Sequence, residues 1–263
     1  MIKIFRNIAV AFSMYSRIPM PIFEWKEDDT KYAIAFLPWI GIVIGGVEYG
    51  LYLLSTYFDF PMLVRIVLWA FAPLFITGGF HVDGYMDVMD ALKSFKSKEE
   101  KLEILKDPHI GAFSVISLVM YGLLYLGSTD LLFVADKEVS MVPPAIMISV
   151  MSFFVVRALG ALLSLTLPLA KKNGMLHEET KLTNKGALVF IIIELVIGLG
   201  ACAYFDWLLT IIVVAILGLF VLWFKNKCKK EFGGITGDTI GFFITQGELL
   251  VLLASGVFAF VGR

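Results

Sequence analysis

The chain has 263 residues, of which 59% are hydrophobic and only 17% charged, and its net charge is −1. Soluble domains average about 45–50% apolar and about 25% charged residues, so this balance argues against a soluble fold and lacks the basic field that nucleic-acid binding needs. Two cysteines, Cys202 in an apolar block and Cys228 among lysines, have neither the spacing nor the setting of a disulfide or a zinc site and read as free thiols.

Taken from its start, the chain opens with Lys3 and Arg6 before the apolar run Ile8 to Tyr15, which mimics a signal peptide. Arg17, Pro19 and Pro21 come after it without a small-x-small cleavage pattern, so it reads as a retained amphipathic entry segment. Seven apolar blocks come next: Phe36–Tyr57, Val64–Phe80, Ala112–Val134, Val142–Leu169, Ala187–Phe205, Leu208–Phe224 and Ile240–Val261. A membrane-crossing helix needs about 20 mostly apolar residues, so these blocks predict an all-α, polytopic integral membrane bundle of about seven transmembrane helices. No soluble domain or internal repeat is evident, and residues 1–263 read as one membrane-embedded unit.

Lysine and arginine then set the orientation. Eighteen of the 22 fall in the first 35 residues, in 81–111, in 170–186 or in 225–239, all on one side of such a bundle. Arg65, Lys137 and Arg263 fall on the other side, and Arg157 lies inside a span. The positive-inside bias predicts a cytoplasmic N-terminus, with every long polar loop facing the cytoplasm.

Three polar stretches carry chemistry. In Gly78-Gly79-Phe80-His81-Val82-Asp83-Gly84-Tyr85-Met86-Asp87-Val88-Met89-Asp90, the aspartates fall at i, i+4 and i+7. On a helix they share one face and repel one another, a problem that a divalent cation removes. A solvated acidic face is the plainer alternative. His81 reads equally as a general base or phosphate donor, or as an interfacial histidine bonded to backbone. In Asp107-Pro108-His109-Ile110-Gly111, Asp107 could add a carboxylate, or the stretch could be a plain entry turn. In Gly233-Gly234-Ile235-Thr236-Gly237-Asp238-Thr239, the glycines allow backbone N–H groups to approach an anion at a helix start, with Gly234, Thr236, Gly237 and Asp238 as candidate phosphate contacts. Asp238 could instead be the N-cap of the last helix. Glu48, Arg157, Glu194 and Glu248 lie within apolar blocks, where charge is costly unless paired or functional. Arg157 could pair with a glutamate, or join Arg17 as a phosphate-binding arginine, and Glu248 could line the same cavity as Asp238.

These stretches together resemble the cobalamin (5′-phosphate) synthase family, the adenosylcobinamide-GDP ribazoletransferases. The family pattern G-G-x-H-x-D-G-x-x-D-x-x-D matches Gly78 to Asp90, D-x-x-I-G-x-F matches Asp107 to Phe113, and G-G-x-T-G-D matches Gly233 to Asp238, with Glu248 in the helix beyond. Ser16 to Pro19 resembles the family's S-R-I-P opening, and the likeness runs end to end. Pro108, His109 and Phe242 depart from the family's usual residues at their positions. The resemblance implies a transferase that joins adenosylcobinamide-GDP to α-ribazole or its 5′-phosphate and releases GMP. It also implies Mg²⁺ held by Asp83, Asp87, Asp90 and Asp107 or Asp238, with His81 or a free carboxylate taking the hydroxyl proton. The implied setting is the cell membrane, with the active site facing the cytoplasm. So bulky a corrinoid suits a wide cleft or a subunit interface, which leaves a homo-oligomer open.

Rival readings are weaker. A CDP-alcohol phosphotransferase also sets aspartates at helical spacing, but its D-x-x-D-G-x-x-A-R pattern is not met. A secondary transporter would use the intramembrane glutamates as a relay, but it commonly shows paired repeats that this chain lacks. A non-catalytic scaffold has no need of three aspartates on one face.

Overall fold

A computed structural model of the chain describes residues 2–30, 32–134, 142–171, 174–183 and 185–262. Lys31, Lys137, Lys172 and Arg263, which enter the lysine and arginine bias, lie outside the described residues. The described elements are helical: α1 (Ile2–Tyr15), α2 (Glu27–Thr30), a 3₁₀ turn (Ala33–Phe36), α3 (Leu37–Tyr57), α4 (Met62–Thr77), α5 (Phe80–Lys93), α6 (Lys98–Ile104), α7 (Ala112–Val134), α8 (Pro144–Thr166), α9 (Met175–Leu182), α10 (Lys185–Phe205), α11 (Trp207–Glu231) and α12 (Gly237–Val261). One isolated bridge joins Leu169 to Ile235.

Among the described residues six helices are long and apolar enough to cross a membrane: Ala33–Tyr57, Ala112–Phe133, Pro144–Thr166, Lys185–Phe205, Trp207–Glu231 and Gly237–Val261. The block expected at Val64–Phe80 is corrected to α4, which ends at Thr77. Its 16 residues rise about 24 Å, short of the roughly 30 Å hydrocarbon layer. Gly78 and Gly79 come next, with φ of 65° and 80°, the left-handed region glycine enters without a Cβ clash. The chain bends there by 93° into α5, and the bent pair makes a seventh crossing if counted as one. The turn keeps the acidic face of α5 from continuing into lipid, where charge is costly. Two more boundaries move. Segment 81–111, read as a loop, holds α5 and α6, and Lys225, Lys227, Lys229 and Lys230 ride on the last turns of α11.

α8 is the most buried helix and runs through the bundle. α3 packs against it at Gly41 and Gly45, where an added Cβ would come within 2.2 Å and 2.6 Å of the Phe153 and Val150 carbonyl oxygens. Small residues at helix crossings permit such backbone approach in membranes. α12 packs on α8, α7 and α5, while α10 and α11 lie at the periphery with much of their surface outward. Cys202 and Cys228 are buried and unbridged.

Candidate active site

The sequence of α5 sorts its own faces. His81, Gly84, Tyr85, Val88 and Ala91 are buried at spacings of three and four, as one apolar stripe requires. Asp83, Asp87 and Asp90 fall on another face, Asp83 exposed and the other two half-buried. Contact with α7 fixes the helix: Tyr85 Oη donates to the Ser117 carbonyl at 3.1 Å, and Ser114 Oγ donates to that of Met86 at 3.1 Å. Glycines let α5 close on α12. A Cβ on Gly84 would lie 2.9 Å from Asp238 Cα, and one on Gly241 would lie 3.0 Å from the His81 carbonyl oxygen. This approach brings Asp238 within electrostatic reach of Asp83 and Asp87.

The last helix begins with a capping box at Thr236. Its hydroxyl accepts from Thr239 N–H at 3.2 Å, and Thr239 Oγ1 accepts from Thr236 N–H at 2.8 Å. Thr236, not Asp238, is therefore the N-cap, and the Asp238 side chain is left to line the cavity beside α5. The hydroxyl of Thr236, a candidate phosphate contact, is engaged, as is that of Thr239: Thr239 Oγ1 donates to the Thr236 carbonyl at 2.9 Å, and Thr236 Oγ1 donates to Asp238 at 3.3 Å.

A cavity of about 230 Å³ opens where these pieces meet, lined by Asp83, Gly84, Thr236, Gly237, Asp238, Lys171 and His177 among others. Lys171 and His177 are functional candidates that sequence reasoning misses, because they come from the segment between α8 and α10 and only tertiary pairing brings them here. The Leu169–Ile235 bridge makes that pairing, with Ala170 N–H donating to the Ile235 carbonyl at 2.8 Å and Ile235 N–H to that of Pro168 at 2.9 Å. Gly234 is needed at this crossing, since its Cβ would stand 2.5 Å from the Pro168 carbonyl oxygen.

Other candidates lie elsewhere. Arg157 and Glu248 form a buried ion pair between α8 and α12, and Arg157 Nη1 also donates to the Phe153 carbonyl at 3.1 Å. They line a second cavity of about 330 Å³ with His81, Tyr121, Tyr125 and Thr245, separate from that of Asp83 and Asp238. His81 thus belongs to the buried face of α5, behind the aspartates. Asp107 is turned to His109, whose backbone N–H and ring lie 3.0 Å and 2.6 Å from it and hold its carboxyl below the ordinary range. Asp90 lies nearer the same loop, with its carboxylate against Gly111. Arg17 is exposed at the α4–α5 bend, where its backbone N–H donates to the Ile76 carbonyl at 2.8 Å and its side chain covers Gly78.

Whether this donor set suits a hard divalent cation depends on how many ligands the protein must supply. Among the described residues no three His, Cys, Asp or Glu side chains stand close enough to cage a metal by themselves. Mg²⁺ ordinarily takes one or two carboxylates and fills its remaining positions with water and substrate phosphate. Asp87 lies within electrostatic reach of Asp83, Asp90 and Asp238, and Asp238 within reach of Asp83, and none of the four joins an ion pair among the described residues. Their chemistry fits such an ion shared with an anionic substrate.

Comparison with known proteins gives this arrangement a context. The chain matches the family described as cobalamin-5-phosphate synthase over residues 7–256. It is 36% identical over 261 residues to the adenosylcobinamide-GDP ribazoletransferase of Lachnoclostridium phytofermentans, covering 97% of this chain and 96% of that one. The proteins of the same name from Clostridium botulinum strain Alaska E43 and Halalkalibacterium halodurans are 34% and 30% identical, over 97% and 93% of this chain and 99% and 93% of theirs. No solved structure matches at a significant level.

Proposed function

The chain belongs to the cobalamin-5-phosphate synthase family, a multi-pass membrane transferase of cobalamin biosynthesis, and from that premise we propose that it is an adenosylcobinamide-GDP ribazoletransferase. A hydroxyl of α-ribazole or of its 5′-phosphate attacks the cobinamide-linked phosphorus of adenosylcobinamide-GDP. The new P–O bond forms as the diphosphate bond breaks, GMP leaves, and adenosylcobalamin or its 5′-phosphate remains. The observation that carries this reading is the meeting of Asp83 and Asp238, from segments far apart in sequence, in one cavity at the end of the bundle.

Each part of the chain has a task in it. One or two of the carboxylates of Asp83, Asp87, Asp90 and Asp238 would hold Mg²⁺, which when bound neutralises phosphate charge. Asp107, engaged with His109, is less well placed to join them. A carboxylate of the same face accepts the proton of the attacking hydroxyl, since His81 lies on the buried face. The N–H groups of Gly237 and Asp238, in the first turn of α12, sit where a helix start favours phosphate oxygen. Residues 1–263 act as one membrane-embedded unit, with the cavity facing the cytoplasm. Lys93 at the end of α5, Lys101 in α6 and Lys229 and Lys230 in the last turn of α11 support that sidedness through the positive-inside bias.

The test is turnover by the purified protein in detergent and lipid, supplied with adenosylcobinamide-GDP, α-ribazole phosphate and Mg²⁺. GMP and corrinoid product, separated by chromatography, should appear in equal amounts and vanish with EDTA. A folded, lipid-supplied preparation that yields neither would sink the reading.

A further inference from the structure

The acidic cavity has a charge imbalance that the reaction must resolve. Its carboxylates favour a metal, but a departing nucleotide phosphate gathers negative charge of its own and gains from a cation placed where it leaves. Lys171 lines the same cavity as Asp83 and Asp238. Its placement is set by the backbone: Ala170, one residue before it, is hydrogen-bonded to Ile235 in the Gly-rich loop, and Gly234 makes room for that contact. Gly234 therefore positions a lysine from another segment as well as shaping its own loop.

The surroundings of the ammonium point to an anion. Lys171 is half-buried, its Nζ donates to the Leu102 carbonyl at 3.1 Å, and it joins no ion pair among the described residues. Burial and the nearby Lys106 push its pKa down, while Asp238 and Glu103 act against them. A half-buried cation without an ion-pair partner is stabilised when an anionic ligand arrives. His177 lines the same cavity, and Leu176 beside it adds apolar cover. Gly237 and Asp238, in the N-terminal turn of α12, line the same cavity, so an anion there shares one volume with Lys171, His177 and the start of a helix.

We propose that Lys171, with His177 beside it, forms the subsite for the phosphate of the leaving nucleotide, distinct from the carboxylates that hold the metal. The proposal rests on the ribazoletransferase reading, and it separates the two substrates, because only the GDP-linked one places its leaving phosphate here. Lys171→Met should cut kcat/KM for adenosylcobinamide-GDP by about a hundredfold, the effect typical of removing one charge-stabilising donor. The KM for α-ribazole phosphate should stay within twofold of wild type. Lys171→Arg, which keeps the charge, should recover at least a tenth of wild-type activity, and exposed Lys106→Gln should be near wild type. Independently of turnover, GMP titrated calorimetrically into the protein in lipid nanodiscs with Mg²⁺ should bind at least tenfold more weakly to Lys171→Met. Equal GMP affinity in wild type and Lys171→Met, or an effect confined to the α-ribazole phosphate KM, overturns the proposal. Because the titration needs no reaction, failure of the ribazoletransferase reading would show as missing turnover with the GMP difference intact.

Discussion

At the scale of single residues, the structure separates carboxylates that are free to act from charges already committed. Asp83 is exposed, lines the reaction cavity and joins no ion pair among the described residues. Asp83→Asn should therefore reduce turnover by roughly two to three orders of magnitude and leave the thermal unfolding midpoint in detergent unchanged. Turnover near wild type would remove Asp83 from the metal-binding set. Arg157 is the opposite case. The sequence left it three intramembrane glutamates to choose among, and no spacing rule names the partner across a bundle. In the structure it pairs with Glu248, while Glu194 accepts from Trp39 Nε1 at 2.7 Å. Removing one member of a buried pair costs about 3–5 kcal/mol, whereas replacing both with apolar residues of similar size is often close to neutral. Arg157→Met alone should lower the unfolding midpoint markedly, and the double variant Arg157→Met/Glu248→Met should restore most of it. A double variant that folds and turns over shows that the pair holds the bundle together; one that folds but is inactive returns Arg157 to the substrate.

At the scale of elements, the acidic face was legible because i, i+4, i+7 spacing of one residue type survives any error in helix boundaries. The break at Gly78-Gly79 was not, since hydropathy alone runs α4 on into Phe80, and only the left-handed φ of both glycines turns the chain. Asp238 as N-cap was a fair expectation by residue preference, but the reciprocal Thr236–Thr239 hydrogen bonds take the cap. α9 had no sequence signal of function, yet it docks beside the cavity through a contact spanning 164 residues, Tyr15 Oη donating to Glu179 Oε1 at 2.8 Å. Burial pushes the Glu179 carboxyl up to about 7, the tyrosine hydrogen bond opposing it in part. Since the folded-state value lies above the ordinary 4.5, the docked state holds a proton that the undocked state releases. The contribution of Glu179 to docking is thus full below pH 4.5, declines as pH rises, and is lost above about 7. Hydrogen exchange of residues 174–183 should accelerate between pH 6 and pH 8 beyond the intrinsic chemical rate, and Glu179→Gln should flatten that excess. Excess acceleration unchanged in Glu179→Gln would mean that another group loosens α9.

At the scale of the whole molecule, hydropathy sets the class of fold and lysine placement an expected sidedness, because both are properties of segments and need no tertiary contact. They did not define the site as a volume. That volume depends on Gly84 and Gly241 closing α5 on α12, and on the 168–170 segment pairing with the Gly-rich loop, contacts that a one-dimensional pattern does not contain. The seventh crossing is where the two levels meet. α4 is short for a span, but its ends point to a crossing. Phe60 N–H donates to the Ser55 carbonyl at 2.9 Å where α3 ends, and Arg65 in its first turn stacks over Phe133 at the far end of α7. Its last turn meets Arg17 and leads to α5, which packs near the start of α7. The turn at Asp59 and the start of α6 at Lys98 should therefore lie on opposite sides of the membrane. With both native cysteines buried, Asp59→Cys and Lys98→Cys in intact cells and in inverted vesicles give a direct reading with a membrane-impermeant maleimide. Asp59→Cys should react in cells and Lys98→Cys only in inverted vesicles. If both react from one side, α4 and α5 form a re-entrant pair and the bundle has six crossings. If the two are reversed, the lysine bias has been misread and the acidic cavity faces outward, away from any cytoplasmic nucleotide-linked substrate.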